Sequence, residues 1–227
     1  MAVSLKKKNE IATLKDIALG YSTDEVDLMR AKIEESLERR HQFELAQGLV
    51  LTGATSWEKA KRQVESAEIA VARMFLALNL TPAGVFERQA VEGKMFNAKA
   101  IKKIVELAQF TCGMGSKLER VTKAFIACAI IASDKQPGVP ITNRLNQRFL
   151  GNKDLGSFIA DKDILDHLDD LRHKSMSTGA ETQSSQARNV LDVLGLGRIT
   201  SVERARDAVV LDLANPFYGM FRAAVMV

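Results

Sequence analysis

The sequence is poor in cysteine, proline and aromatic residues. Cys112 and Cys128 are the two cysteines in 227 residues, too few for a disulfide framework, so we expect reduced thiols in a reducing, intracellular compartment. Prolines number four and aromatic residues make up 6% of the chain, whereas Leu, Ala, Lys, Glu and Arg are abundant. Because the abundant residues prefer helices to strands, the composition predicts an all-α protein.

Long apolar runs are also missing. The longest, residues 124–132, is far shorter than the roughly 20 residues that a helix needs to cross a bilayer. The N-terminal residues include Lys6, Lys7 and Lys8, but no apolar stretch of secretory length follows them. We therefore expect no membrane partner and no secretory leader.

Recognisable catalytic motifs are absent as well. The sequence has no Gly-x-Ser-x-Gly elbow, no dinucleotide fingerprint, no Cys-x-x-Cys and no histidine pair with zinc spacing. Three histidines leave little material for acid–base chemistry near neutral pH. These absences predict a protein that is not an enzyme and needs no cofactor.

One acidic stretch is a weak candidate for a metal site. Asp163, Asp166, His167 and Asp170 fall at i, i+3, i+4 and i+7, which places them on one face of a predicted helix. Carboxylates and imidazole so spaced are able to bind a divalent metal, which would indicate metal-assisted hydrolysis. Such a site normally needs ligands from a second helix, and the other histidines of the sequence have no acidic residue or histidine beside them that would complete it. A solvated or partner-docking face is the favoured interpretation, and a metal-dependent hydrolase is the third hypothesis for function.

Helix starts and stops are marked by capping residues. Ser or Thr followed three residues later by Glu predicts starts at Ser22, Thr55, Ser116 and Thr200, and Thr81 before Pro82 adds another. Stops are predicted at Gly48, Gly53, Gly113, Gly151 and Gly195. About ten helices are expected, within two to four residues of 9–19, 23–47, 56–79, 82–91, 98–110, 117–132, 141–150, 161–173, 184–194, 201–213 and 216–226.

A polar stretch near the C-terminus predicts a domain boundary. Residues 175–185 are rich in Ser and Thr and include Gly179, so we interpret them as a linker between two lobes. The expected organisation is an N-terminal arm (1–20), a basic helical core (21–174) and a C-terminal helical subdomain (186–227) with an apolar tail. Packing of the apolar tail on the protein's own body is the favoured interpretation, and apolar ends exchanged between copies would instead make a homo-oligomer.

Charge is concentrated in the middle of the chain. Residues 94–153, which we call the basic segment, hold 11 basic and three acidic residues, a net charge of +8 against +4 for the whole chain. Lys99 with Lys102 and Lys103, Arg120 with Lys123, and Arg144 with Arg148 share helix faces by spacing. The stretch 111–117, which ends at Lys117, opens a predicted helix whose N-terminal amides suit a phosphate, but a flexible turn between helices is the favoured interpretation.

Like charges at these spacings repel unless a polyanion neutralises them, and a nucleic-acid backbone is the usual partner. Aromatic residues are sparse in the basic segment, so backbone binding fits better than base stacking. The alternatives are a solvated face that favours solubility, an acidic protein partner or lipid headgroups.

Two short elements carry a resemblance to a known family. Trp57-Glu58-Lys59 opening a helix, and Leu118-Glu119-Arg120-Val121 leading into the apolar run 124–129, resemble nucleocapsid proteins of segmented negative-strand RNA viruses of the phlebovirus and tenuivirus type. The resemblance implies a nucleoprotein of the cytoplasm or virion that coats single-stranded genomic RNA as a head-to-tail oligomer. Lys59, Lys61 and Arg62 would then join the central basic residues in one groove. The runner-up is a structural or coat protein whose basic face docks an acidic partner.

Overall fold

In a computed structural model of the chain, the described residues are 16–46, 57–88, 98–112, 180–202 and 205–215, together with Ser133 and Tyr218. The chain divides into two compact units, Ala12–Lys117 and a second that joins Met1–Ile11 to Leu118–Val227. The boundaries of the units fall between residues 11 and 12 and between residues 117 and 118. The described part is mostly helical, as the composition predicts, and includes one two-stranded sheet.

The longest described helix of the first unit is α1 (Thr23–Ala46). Its start is the capping box predicted from sequence: the backbone amide of Glu25 donates to Ser22 Oγ at 3.3 Å, and the amide of Ser22 donates to Glu25 Oε2 at 2.9 Å. Its buried side chains recur every three or four residues along one face, which packs against the rest of the unit. The predicted helix 23–47 is confirmed.

The predicted helix 56–79 is two helices, α2 (Trp57–Glu65) and α3 (Glu68–Ala77). The chain breaks at Ser66 and Ala67, where Ser66 Oγ donates to the carbonyl of Gln63 at 2.7 Å and Ala67 takes non-helical backbone angles. A continuous helical pattern in the sequence did not reveal this break, because both helices turn apolar faces toward the same core.

The end of α3 is closed by a left-handed residue. Asn79 has a φ of 52°, and the amide of Leu80 donates to the carbonyl of Phe75 at 2.8 Å. A single π-helical turn, Ala83–Glu87, follows where a helix over 82–91 was predicted. The turn is held by Phe86, whose ring stacks on Phe75 at 5.5 Å between centroids.

The core of this unit is completed by α4 (Ala98–Thr111), which confirms the predicted helix 98–110 and packs on both α2 and α3. Ile101, Ile104 and Leu107 are almost fully buried on its inner face. A helical turn at 16–19 lies against α3, since Arg73 Nη1 donates to the carbonyl of Ala18 at 2.9 Å.

The described part of the second unit contains α5 (Ala180–Val193) and a β-hairpin. Because α5 begins at Ala180, more than half of the predicted linker 175–185 is helical. In the sequence, the polar residues of a first helical turn cannot be distinguished from those of a linker. The predicted stop at Gly195 is confirmed: its φ is 68°, and the amide of Leu196 donates to the carbonyl of Leu191 at 2.8 Å.

The hairpin replaces one predicted helix in a mostly helical chain. Strands β1 (Gly197–Val202) and β2 (Ala205–Leu211) pair antiparallel where a helix over 201–213 was predicted, with Ile199 opposite Val209. Thr200 lies in β1, so its predicted capping role is wrong. Branched residues favour strands, and α5 supplies the buried surface that stabilises them, because it packs on both strands. The predicted helices 117–132, 141–150 and 161–173 lie outside the described residues.

Candidate nucleic-acid interface

The predicted nucleic-acid contacts are only partly within the described residues. The structure describes the side chains of Lys59, Lys61, Arg62, Lys102 and Lys103. Lys99 lies in α4, but its side chain is not among those that the structure describes. Lys117, Arg120, Lys123, Arg144 and Arg148 lie outside the described residues, as do the weak metal candidates Asp163, Asp166, His167 and Asp170.

The basic residues of α2 lie on its outer surface. Ala60 and Val64 point into the core, which turns Lys59 and Arg62 toward solvent. Arg62 Nη2 lies 3.2 Å from Glu58 Oε2, with both side chains more than 70% exposed, and Lys61 Nζ lies 3.7 Å from Glu65 Oε1. Within the described part of the chain, Lys59 has no carboxylate partner. Exposed pairs of this kind are weak, so a phosphate is able to replace the carboxylate.

Lys102 and Lys103 of α4 differ in solvent exposure. The Lys102 side chain is 48% exposed, with its Nζ 3.6 Å from Glu106 Oε1. Lys103 is 7% exposed. It follows Lys102 by one residue, which is a rotation of about 100° around the helix, so it lies at the edge of the face that buries Ile104 and Leu107. Lys103 is therefore not an open contact for a nucleic acid.

Two basic clusters that are about 40 residues apart in sequence are neighbours in the fold. Helix α2, which carries Lys59, Lys61 and Arg62, packs directly on α4, which carries Lys99 and Lys102. Ala60 of α2 and Ile104 of α4 are buried, whereas Lys59, Arg62 and Lys102 are exposed. The arrangement suits a partner that contacts both helices at once.

A groove with the opposite charge lies in the same unit, and Lys61 of α2 lines it. A cavity of about 640 Å³ opens between α1 on one side and α2 and α3 on the other. Its rim holds six carboxylates and three cations, above the apolar side chains of Ile33, Leu37 and Val64. The carboxylates are Asp27, Glu34, Glu35, Glu38, Glu65 and Glu68, and the cations are Arg30, Arg39 and Lys61. We call this feature the acidic groove.

Both arginines of the acidic groove are already bound to carboxylates. Arg30 pairs with Asp27 at 2.8 Å and also with Glu68, and the Asp27 hydrogen bond is the main cause of a raised pKa at Arg30. Arg39 bridges Glu35 at 2.7 Å and Glu87 at 2.8 Å. These arginines therefore link α1 to α3 and to the π-helical turn, and they are not available to bind a polyanion.

Sequence reasoning missed the acidic groove, although part of its signal was visible. Asp27, Glu34 and Glu38 stand seven and four residues apart, which places them on one face of a helix. The carboxylates of α2 and α3 come from 30 residues further along the chain, so their position opposite α1 depends on tertiary packing.

The thiol of Cys112 is unreactive in this fold. The residue is 2% exposed, its Sγ lies 3.5 Å from the carbonyl oxygen of Ala70, and burial raises its pKa to about 11. A thiol that stays protonated at neutral pH is neither a nucleophile nor a metal ligand. Cys128 lies outside the described residues.

Comparison of the chain with known protein families, with curated proteins and with solved structures finds no match. In the described helices, none is long and apolar enough to cross a membrane. The described residues also contain no group of three or more His, Cys, Asp or Glu side chains placed to hold a metal ion.

Proposed function

We propose that the chain binds nucleic-acid backbones without base preference and coats single-stranded RNA as a homo-oligomer. The observation that supports this most directly is the packing of α2 on α4, which brings Lys59 and Lys102 onto neighbouring helices of one unit. Lys59 is exposed and the Lys102 side chain is 48% exposed, in a chain whose isoelectric point is about 9.1.

Binding on this surface would exchange weak contacts for stronger ones. The ion pairs of Arg62 with Glu58 and of Lys102 with Glu106 stabilise the free protein little, because they are exposed or long. A phosphate that replaces these carboxylates also releases counterions condensed on the nucleic acid, and this release drives association. Lys99, Lys117, Arg120, Lys123, Arg144 and Arg148 extend the proposed surface, and the buried Lys103 does not belong to it.

The remaining parts of the proposal follow from the sequence. The terminal segments exchange between copies, and the chain acts as a nucleocapsid-type protein in the cytoplasm or a virion. The apolar tail from Pro216 and the short elements that resemble nucleocapsid proteins support this part.

The test measures how affinity for a labelled single-stranded RNA depends on salt. For the double variant Lys59→Gln/Lys102→Gln we expect the slope of log K against log salt to fall in magnitude by about 1.4, because each contact with a single strand contributes about 0.7. The control is Lys32→Gln/Arg198→Gln, which removes the same charge from exposed residues outside α2 and α4 and should leave the slope unchanged.

Purified protein should also show a high absorbance ratio at 260 to 280 nm in a large species that collapses after nuclease and high salt. A clean protein spectrum with no RNA or DNA binding at low salt would refute the proposal. Self-assembly unaffected by nuclease would instead favour the structural or coat protein.

A further inference from the structure

The acidic groove has more negative charge than its own cations neutralise. Arg30 and Arg39 are each shared between two carboxylates, and Lys61 lies 3.7 Å from Glu65. Glu34 has no cationic partner in the described residues, and Glu38 accepts one hydrogen bond from Gln42 Nε2 at 2.7 Å. An excess of three negative charges therefore remains at the rim.

The shape of the groove selects among cationic ligands. The carboxylates are spread along it, and no three of the described ones are close enough to hold one metal ion. Ile33, Leu37 and Val64 provide an apolar lining beneath the charged rim. Lysine and arginine side chains match this arrangement, because their aliphatic stems cover apolar surface while their charged ends reach carboxylates.

We propose that the acidic groove docks the basic segment 94–153 of a second copy of this chain. The charges are complementary, with an excess of three negative charges in the groove and a net +8 on the segment, or +7 without the buried Lys103. The spacing also agrees: Glu34 and Glu38 stand one helical turn apart on α1, about 6 Å along its axis, and Arg144 and Arg148 have the same separation in sequence.

The inference rests on the proposed association of copies and adds a surface to it. It has a regulatory consequence, because the groove and a nucleic acid compete for the same lysines and arginines. Free protein self-associates through the groove, and a bound nucleic acid displaces these contacts. The basic segment is thereby covered until RNA is available.

The experiment is sedimentation velocity on full-length protein freed of nucleic acid, at about 50 mM and about 500 mM sodium chloride. We expect self-association at low salt that weakens at least about tenfold at high salt. The variant Glu34→Lys/Glu38→Lys should weaken low-salt association by at least about tenfold. The control Asp16→Lys/Asp24→Lys makes the same charge change at exposed residues outside the groove and should stay within about twofold of the original protein.

A mixing experiment identifies the occupant. Arg144→Glu/Arg148→Glu should also lose association, and an equimolar mixture with Glu34→Lys/Glu38→Lys should regain it, because an intact groove then meets intact arginines on another copy. A monomeric original protein at low salt, a groove variant that associates like its control, or a mixture that stays monomeric would each overturn the proposal.

Nucleic-acid affinity of the same proteins separates this inference from the proposed function. The groove variant should bind RNA at least as tightly as the original protein, because it gains positive charge and keeps the basic segment. If the original protein binds no nucleic acid, the proposed function fails while the sedimentation result still decides the groove.

Discussion

A buried ion pair on α1 gives the sharpest test of the fold. Arg40 Nε lies 2.9 Å from Glu44 Oε1, one turn apart on the helix, and the two side chains are 1% and 2% exposed. Burial is the main cause of a lowered pKa at Arg40, which the Glu44 charge partly offsets. The pair is therefore taken almost wholly out of water.

The cost of breaking this pair follows from its burial. At 2.9 Å and an effective dielectric constant near 20, the attraction is about 6 kcal/mol, and much of it offsets the desolvation of both groups. Removal of one partner leaves a buried charge without this compensation. We expect Glu44→Gln or Arg40→Met to lower the free energy of unfolding by about 3–5 kcal/mol.

The double replacement Arg40→Met/Glu44→Leu removes both charges and keeps the volume apolar. It should therefore lie within about 1–2 kcal/mol of the original protein. The measurement is urea unfolding, followed by circular dichroism and by the fluorescence of Trp57, the single tryptophan. Glu35→Gln serves as the matched control on the same helix, because its pair with Arg39 is exposed and should matter little.

If the losses of unfolding free energy in the two single variants do not add up to the loss in the double variant, the pair is buried and coupled. Single variants that cost less than about 1 kcal/mol would refute the reasoning, because they would mean that water reaches both charges in solution.

Two further predictions concern the π-turn and the hairpin. Hydrogen bonds from Arg39 and Ser36 hold the pKa of Glu87 below its usual value of 4.5. The ionised carboxylate therefore stabilises the fold at neutral pH, and this stabilisation is lost as the pH falls through the lowered pKa, so the stability difference between the original protein and Glu87→Gln should shrink on acidification. A constant difference in urea midpoint from pH 7 to about pH 3 would contradict this assignment. In the hairpin, a Cβ at Gly197 would lie 2.9 Å from the carbonyl oxygen of Val210, whereas a Cβ at Gly195 would meet only Asn215 Nδ2 at an ordinary contact distance of 3.8 Å. Gly197→Ala should therefore destabilise the second unit more than Gly195→Ala, which costs about 1 kcal/mol for its positive φ. Equal melting temperatures of the two variants would contradict the strand pairing.

Local chemistry in the sequence determined several features of the fold. The start of α1 at Ser22 and Glu25, and the end of α5 at Gly195, were predicted correctly because the groups involved lie within five residues of each other. The mostly helical character follows in the same way from composition and from apolar side chains spaced every three or four residues.

Tertiary packing decided the features that those local signals do not contain. The strand β2 forms because α5 and β1 cover it, although its sequence was also compatible with a helix. Lys103 is buried beside the exposed Lys102 because α4 packs on two neighbouring helices. The acidic groove exists because α1 meets residues 30 positions further along the chain. Burial and long-range charge pairing depend on which helices become neighbours, and periodicity within one segment carries no information about that choice.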